Sequence, residues 1–184
     1  VIKGVYMKEI SINELNINPC LEIGKNWMLI TAGDEKKSNS MTASWGSIGA
    51  LWESGRNGGS VTTIYVRPSR YTDAFIDRND FYSLCFFDEE YRKDLLFMGS
   101  NSGKNMDKLS HTNLHLDYID GVPFYKEAKL VFICRKIYKG KIMKEGFVDK
   151  RIIDAYYKED GNNIYNNDSL HNVYVGKITK ILSK

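Results

Sequence analysis

Short runs dense in Val, Ile, Thr, Tyr and Phe recur along this chain, cut apart by Gly, Asn and Pro. No regular rhythm of strand and long helix accompanies them, and that combination most narrows the folds open to it. NWMLITAG (26–33), MTASWGSIGALW (41–52) and SVTTIYVRP (60–68) read as three strands, with SGRNGGS (54–60) as a Gly- and Asn-rich hairpin turn between the last two. FYSLCFF (81–87) is almost wholly apolar, the pattern of a strand buried on both faces. KLVFICRKIYKGKIM (129–143) and HNVYVGKITKIL (171–182) alternate apolar with polar residues. Helical spacing lies between strands. SRYTDAFIDRND (69–80) groups Tyr71, Phe75 and Ile76, and EEYRKDLLFMGS (89–100) groups Tyr91, Leu95 and Met98. KNMDKLS (104–110) and KRIIDAYYK (150–158) are weaker helical candidates, and GNNIYNND (161–168) reads as a surface loop. The expectation is a mainly β chain, an antiparallel β-barrel with short helices covering its ends.

A length of 184 residues suits one domain spanning 1–184, with residues 1–6 ahead of Met7 a candidate non-native extension. The balance of 26 basic against 23 acidic residues leaves +3 without any block of like charge, which argues against a nucleic-acid partner. Lys136, Lys139, Lys141 and Lys144 alternate with Ile and Tyr and read as the solvated face of a strand. Cys20, Cys85 and Cys134 are odd in number and lack a CxxC pair, so neither a disulfide framework nor a zinc site is expected. Cys85 and Cys134 sit in apolar runs and read as inert core thiols. No run reaches about 18 apolar residues, and no signal-peptide layout opens the chain, so a cytoplasmic protein without membrane contact is expected.

Chemistry-bearing motifs are few. Neither GxGxxG after a strand nor GxxxxGK[ST] occurs, and no GxSxG elbow announces a nucleophilic serine. His111, His115 and His171 are too scattered to form a metal site.

Three places stand out instead. SNSMTASWGSIG (38–49) is built of small residues around Trp45; it suits either close strand packing or the approach of a flat ligand to the backbone. VRPSRYTDAF (66–75) sets Arg67 ahead of Pro68, Ser69 as an N-cap, and Arg70 and Thr72 in a first helical turn. That is either a seat for phosphate or an ordinary capped helix with surface arginines. GSNSGKNMDK (99–108) is a Ser/Gly/Lys turn, read as a loop or a second anion cradle.

Taken in order, KNWMLITAG, SMTASWGSIG, VRPSRYTDAFI, FYSLCFF, GSNSGKNMDK and HNVYVGKI strongly resemble the flavin reductase-like, flavoredoxin-type family over roughly residues 20–180. The resemblance implies an FMN-binding split β-barrel of Greek-key topology that forms a homodimer. It implies that Ser40, Met41, Thr42, Ala43, Ser44, Trp45 and Gly46 line the isoalloxazine ring. Arg67, Ser69, Arg70 and Thr72 would then hold the 5′-phosphate. Ser102, Gly103 and Lys104 match the family's Ser-Gly-Arg/Lys loop beside the cofactor, with a lysine where many members carry arginine; an ammonium offers no bidentate fork. His171 begins the family's last barrel strand in a structural role.

By the same resemblance the cofactor is FMN and the donor NADH or NADPH, giving a flavin reductase that passes hydride from nicotinamide to flavin. A flavoredoxin-like electron carrier reduced by a protein partner, and a non-catalytic FMN- or haem-binding protein, are the alternatives. No side chain is assigned as catalytic acid or base, because the flavin carries the redox chemistry.

Overall fold

The computed structural model describes residues 7–52, 59–157 and 170–184. The extension at 1–6, most of the turn at 54–60, residue 158 and the loop at 161–168 lie outside the described residues.

Strands β1 (Lys8–Ile10), β2 (Met28–Gly33), β3 (Ser38–Ala43), β4 (Gly46–Ala50) and β5 (Ser60–Val66) precede helix α1 (Tyr71–Arg78). Strand β6 (Phe81–Phe86), helix α2 (Arg92–Ser100) and the hairpin β7 (Leu116–Ile119) and β8 (Val122–Tyr125) follow. Strand β9 (Leu130–Lys141), helix α3 (Arg151–Tyr156) and strand β10 (Asn172–Ser183) complete the series. Pairing is antiparallel throughout, in the order β3-β2-β6-β9-β10-β5-β4, with β1 added to β10.

The single strand expected over 41–52 is two strands. The chain bends at Ser44-Trp45, so β3 pairs with β2 while β4 pairs with β5. The two ends of the strand order are thus joined through two residues, which draws the sheet round into a barrel. β7 and β8 are joined by Asp120 and Gly121 at φ 51° and 77°; the Asp-Gly pair supplies the positive φ values of a tight hairpin turn. Over 104–110 only the turn Leu109–His111 is helical.

Period-two alternation divides the apolar residues into two cores. Met28, Ile30, Ala32, Tyr82, Leu84, Phe132 and Cys134 face inward, where Phe75 and Ile76 of α1 plug one end. Leu29, Cys85, Val131 and Ile133 face outward under Leu95 and Met98 of α2 and the β7–β8 hairpin. The central strands are therefore buried on both faces, as FYSLCFF required. Lys136 and Lys139 of β9 do not merely meet solvent. Lys136 Nζ donates to the Ile76 and Asp77 carbonyls, and Lys139 pairs with the Asp77 carboxylate, so both serve the negative end of α1. Among the described residues no helix is long and apolar enough to cross a membrane.

Candidate functional site

β3 lies at one end of the strand order, and among the described residues its outer edge has no strand partner. Two chambers of about 310 and 330 Å³ run along it, sharing Met41 and Arg70 as common walls.

The first chamber lies between the start of α1 and the 98–108 segment. Asn39, Ser69, Arg70, Thr72, Ser102, Gly103 and Lys108 line it. The chain turns at Pro68-Ser69, with Arg70 N–H donating to the Arg67 carbonyl at 2.9 Å. This turn makes Arg70, not Ser69, the N-cap, and α1 starts at Tyr71. Asn39 Nδ2 donates to Thr72 Oγ1 at 2.7 Å, fixing that hydroxyl with its own proton free to point elsewhere. Asp73 anchors the same helical turn, accepting from Asn172 Nδ2 at 3.1 Å and Tyr174 OH at 2.9 Å. Burial raises its pKa, against the lowering by those hydrogen bonds. Opposite, a Cβ on Gly103 would lie 2.1 Å from Asn39 Oδ1, so only glycine lets the 102–105 turn come this close.

The second chamber is aromatic. Thr42, Ala43, Ser44, Trp45, Tyr65, Arg67, Tyr156 and His171 line it. Trp45 meets Tyr156 edge-on at 5.4 Å and His171 at 5.0 Å between ring centroids. His171 Nδ1 shares a hydrogen bond with Tyr157 OH at 2.9 Å, and Arg67 donates to the Tyr156 carbonyl at 2.7 Å while lying over the Tyr157 ring. Burial first, then Arg67 and Arg70, lower the His171 pKa to about 4, so the imidazole is neutral at pH 7. Among the described residues no acidic side chain lines either chamber.

The residues singled out in the sequence fall unevenly on this site. Met41, Thr42, Ala43, Ser44, Trp45, Arg67, Ser69, Arg70, Thr72, Ser102 and Gly103 all line one chamber or both. Ser40 points away: its hydroxyl joins Thr31 Oγ1 at 2.9 Å and Tyr125 OH at 2.7 Å in a buried chain behind the strand. Gly46 and Lys104 line neither chamber. Gly46 begins β4 and packs near Met28 and Ile23, and Lys104 is exposed on the turn. The two arginines are divided, Arg67 lining the aromatic chamber and Arg70 both. Thr42 also donates to the Leu95 carbonyl, and a Cβ on Gly99 would lie 3.0 Å from its own Cβ, so close packing of α2 explains part of the small-residue run.

Sequence reasoning missed Asn39, Lys108, Tyr65 and Tyr156. The period-two pattern of β3 placed Asn39 beside Met41 on one face, which was the available signal. Lys108 carried none, because its role depends on how the 101–109 turn folds back.

His111 and His115 diverge, His111 lying against Phe97 and His115 bonding Glu127 at 2.8 Å. Among the described residues no group of three His, Cys, Asp or Glu side chains is placed to hold a metal.

The chain has the split-barrel fold of FMN-binding, flavin reductase-like proteins. It superposes on an FMN-binding domain of a flavin reductases-like enzyme from Shewanella baltica with TM-score 0.64 and 12% identity, over 97% of this chain and 77% of that one. Flavoredoxin from Methanosarcina acetivorans gives 0.62 and 21%, over 96% and 76%. The FMN-binding protein from Thermus thermophilus, solved with p-hydroxybenzaldehyde bound, gives 0.60 and 14%, over 86% and 71%. No protein-family model and no curated protein sequence matches.

Proposed function

We propose that this protein binds FMN along the outer edge of β3 and works as an NAD(P)H-linked flavin reductase. The supporting observation is that two adjoining chambers, one cationic and hydroxyl-lined and the other aromatic, share Met41 and Arg70 as walls. That donor set fits a phosphorylated flat ring. Arg70, Ser69 and the Asn39-fixed Thr72 hydroxyl would hold the phosphate, and Trp45, Ala43 and Ser44 would border the ring. Outward-facing backbone groups of β3 would meet its polar edge. Ser40 shows that such groups exist, because its carbonyl accepts a hydrogen bond from Lys108 Nζ.

When bound, the flavin supplies hydride and single-electron chemistry. The chain's own part is to orient the ring, keep its rear face dry against β3, and set the local charge. Arg67 and Arg70 give that surroundings a positive sign, and His171 offers a neutral hydrogen-bonding group rather than a proton at physiological pH.

The likeness to a flavoredoxin supports a second reading, an electron carrier reduced by a protein partner. Trp45, 39% exposed at the rim, leaves the ring end open to either donor. The decisive measurement is the visible spectrum of the purified protein, before and after NADH or NADPH under anaerobic conditions. Flavin bands that bleach faster than in an enzyme-free control support the reductase. Bands that persist with both nucleotides, yet bleach with a reduced ferredoxin-type donor, support the carrier. A protein that neither carries nor takes up flavin removes both.

We also propose a homodimer formed through the face carrying Trp52 and Tyr138, 63% and 47% exposed, whose rings meet edge-on with centroids 5.8 Å apart. Sedimentation at the monomer mass at micromolar concentration would overturn it.

A further inference from the structure

The aromatic chamber has walls of two kinds. Ala43, Tyr65 and His171 stand on or beside the paired strands β3, β5 and β10, whereas Ala155 and Tyr156 belong to α3. No residue of α3 is buried, and neither apolar core includes one. Met143, Val148 and Ile152, on the same excursion from β9, are exposed rather than packed on the barrel. A helix of six residues is too short to hold its shape in water unaided, so α3 keeps its place through what it touches.

What it touches is the chamber itself. Tyr156 sets its ring edge-on to Trp45, and its carbonyl accepts from Arg67 Nη2 at 2.7 Å. The next residue, Tyr157, lies beneath the Arg67 guanidinium, and its hydroxyl is hydrogen-bonded to His171 Nδ1. Trp45, Arg67 and His171 all line the space that α3 roofs. Two hydrogen bonds and a few ring contacts, with no buried α3 side chain between them, place this joint at the low end of local stability. The strand walls are held by continuous ladders and do not share that weakness.

We propose that α3 is a lid on the aromatic chamber, latched by Arg67 on the Tyr156 carbonyl and by Tyr157 on His171, which opens to let a flat ligand enter and leave. The inference takes its ligand from the flavin reading above, while the motion rests on the contacts alone. Entry is then limited by the fraction of molecules whose lid is open.

The test is the rate of riboflavin association, read by stopped-flow flavin fluorescence, in wild type and in Tyr157→Phe. Tyr157 does not line the chamber, so this change removes a latch bond and leaves the walls in place. Loss of one ordinary hydrogen bond should raise the open fraction, and with it the association rate, about fivefold. Dissociation should quicken to match, with the dissociation constant changing less than about twofold. An unchanged association rate, or faster exit alone, is what a fixed wall gives and overturns the proposal. Wild type that binds neither riboflavin nor FMN sinks the flavin reading, and hydrogen exchange then judges the lid. The amide at position 157, which donates to the Ile153 carbonyl at 2.8 Å, should exchange about fivefold faster in Tyr157→Phe while β9 and β10 keep their protection. Equal protection at that amide in both proteins, or a loss spread over the barrel, overturns the lid.

Discussion

Asn39 of β3 and Thr72 of α1, thirty-three positions apart, meet through a buried 2.7 Å hydrogen bond that sets the floor of the anion chamber. Strand edge and helix start are tied at the point where the ligand's charge is proposed to rest. Asn39→Ala should cost about 1–3 kcal/mol in urea-denaturation stability, the usual range when a buried partner is left unsatisfied. Gly103→Ala should disturb the same bond, because its new Cβ overlaps the Asn39 amide oxygen. Stability and FMN affinity that are unchanged in both variants would show that this contact does not shape the site.

The division of the arginines separates two effects. Arg70→Ala should weaken FMN binding more than riboflavin binding, because Arg70 reaches the anion chamber. Arg67→Ala should weaken the two alike, since Arg67 lines only the aromatic chamber and holds α3 through the Tyr156 carbonyl. Paired titrations of both variants check this, and the reverse pattern would place the phosphate beside Arg67.

Acid should undermine the fold through His171. Its folded-state pKa is lowered to about 4 from 6.5, so between those values the unfolded chain binds a proton that the native chain refuses. Its contribution is fully present above pH 6.5 and is lost as pH falls towards 4, on the order of 3 kcal/mol in all. Asp73, with its raised pKa, acts in the opposite sense near the acid end of that window. The useful quantity is therefore the difference between wild type and His171→Gln, whose denaturation midpoints should converge as the pH drops from 7 to 4.5. Parallel profiles would refute the assignment.

Thiol chemistry should be confined to one residue. Cys85 and Cys134 are wholly buried and their thiols are pushed up to about 12, whereas Cys20 is exposed. At pH 8 a disulfide-exchange reagent should label the native protein once and the denatured protein three times. Rapid labelling of a second thiol in the native state would mean that the barrel opens far more readily than its packing suggests.

The strand inventory was legible because the barrel's staves carry their burial in composition: FYSLCFF could hardly be anything but a doubly covered strand. The bend at Ser44-Trp45 was not legible. Its residues continue the small, uncharged pattern on both sides, and the break follows from where β5 lies in space. The same limit divides the site. Thr72 and Ser102 advertise themselves as local turn chemistry, and both line the first chamber. Ser40 looked equivalent to its neighbours, but strand alternation turned its hydroxyl to Tyr125, eighty-five positions away. Lys104 and Lys108 are indistinguishable in a lysine-bearing turn until the turn folds, and then one is exposed and the other buried.

β10 pairs with β9, β5 and β1 at once, whereas β2–β3 and β4–β5 are hairpins of near neighbours. During synthesis the two hairpins can form early, but the barrel lacks its keystone until the stretch ending at Ser183 has left the ribosome. Until then the inner faces of β5 and β9 are open to solvent and to chaperones. Pulse-labelled hydrogen exchange should therefore find protection on β5 and β9 rising together with that on β10, after the β2–β3 hairpin is already guarded.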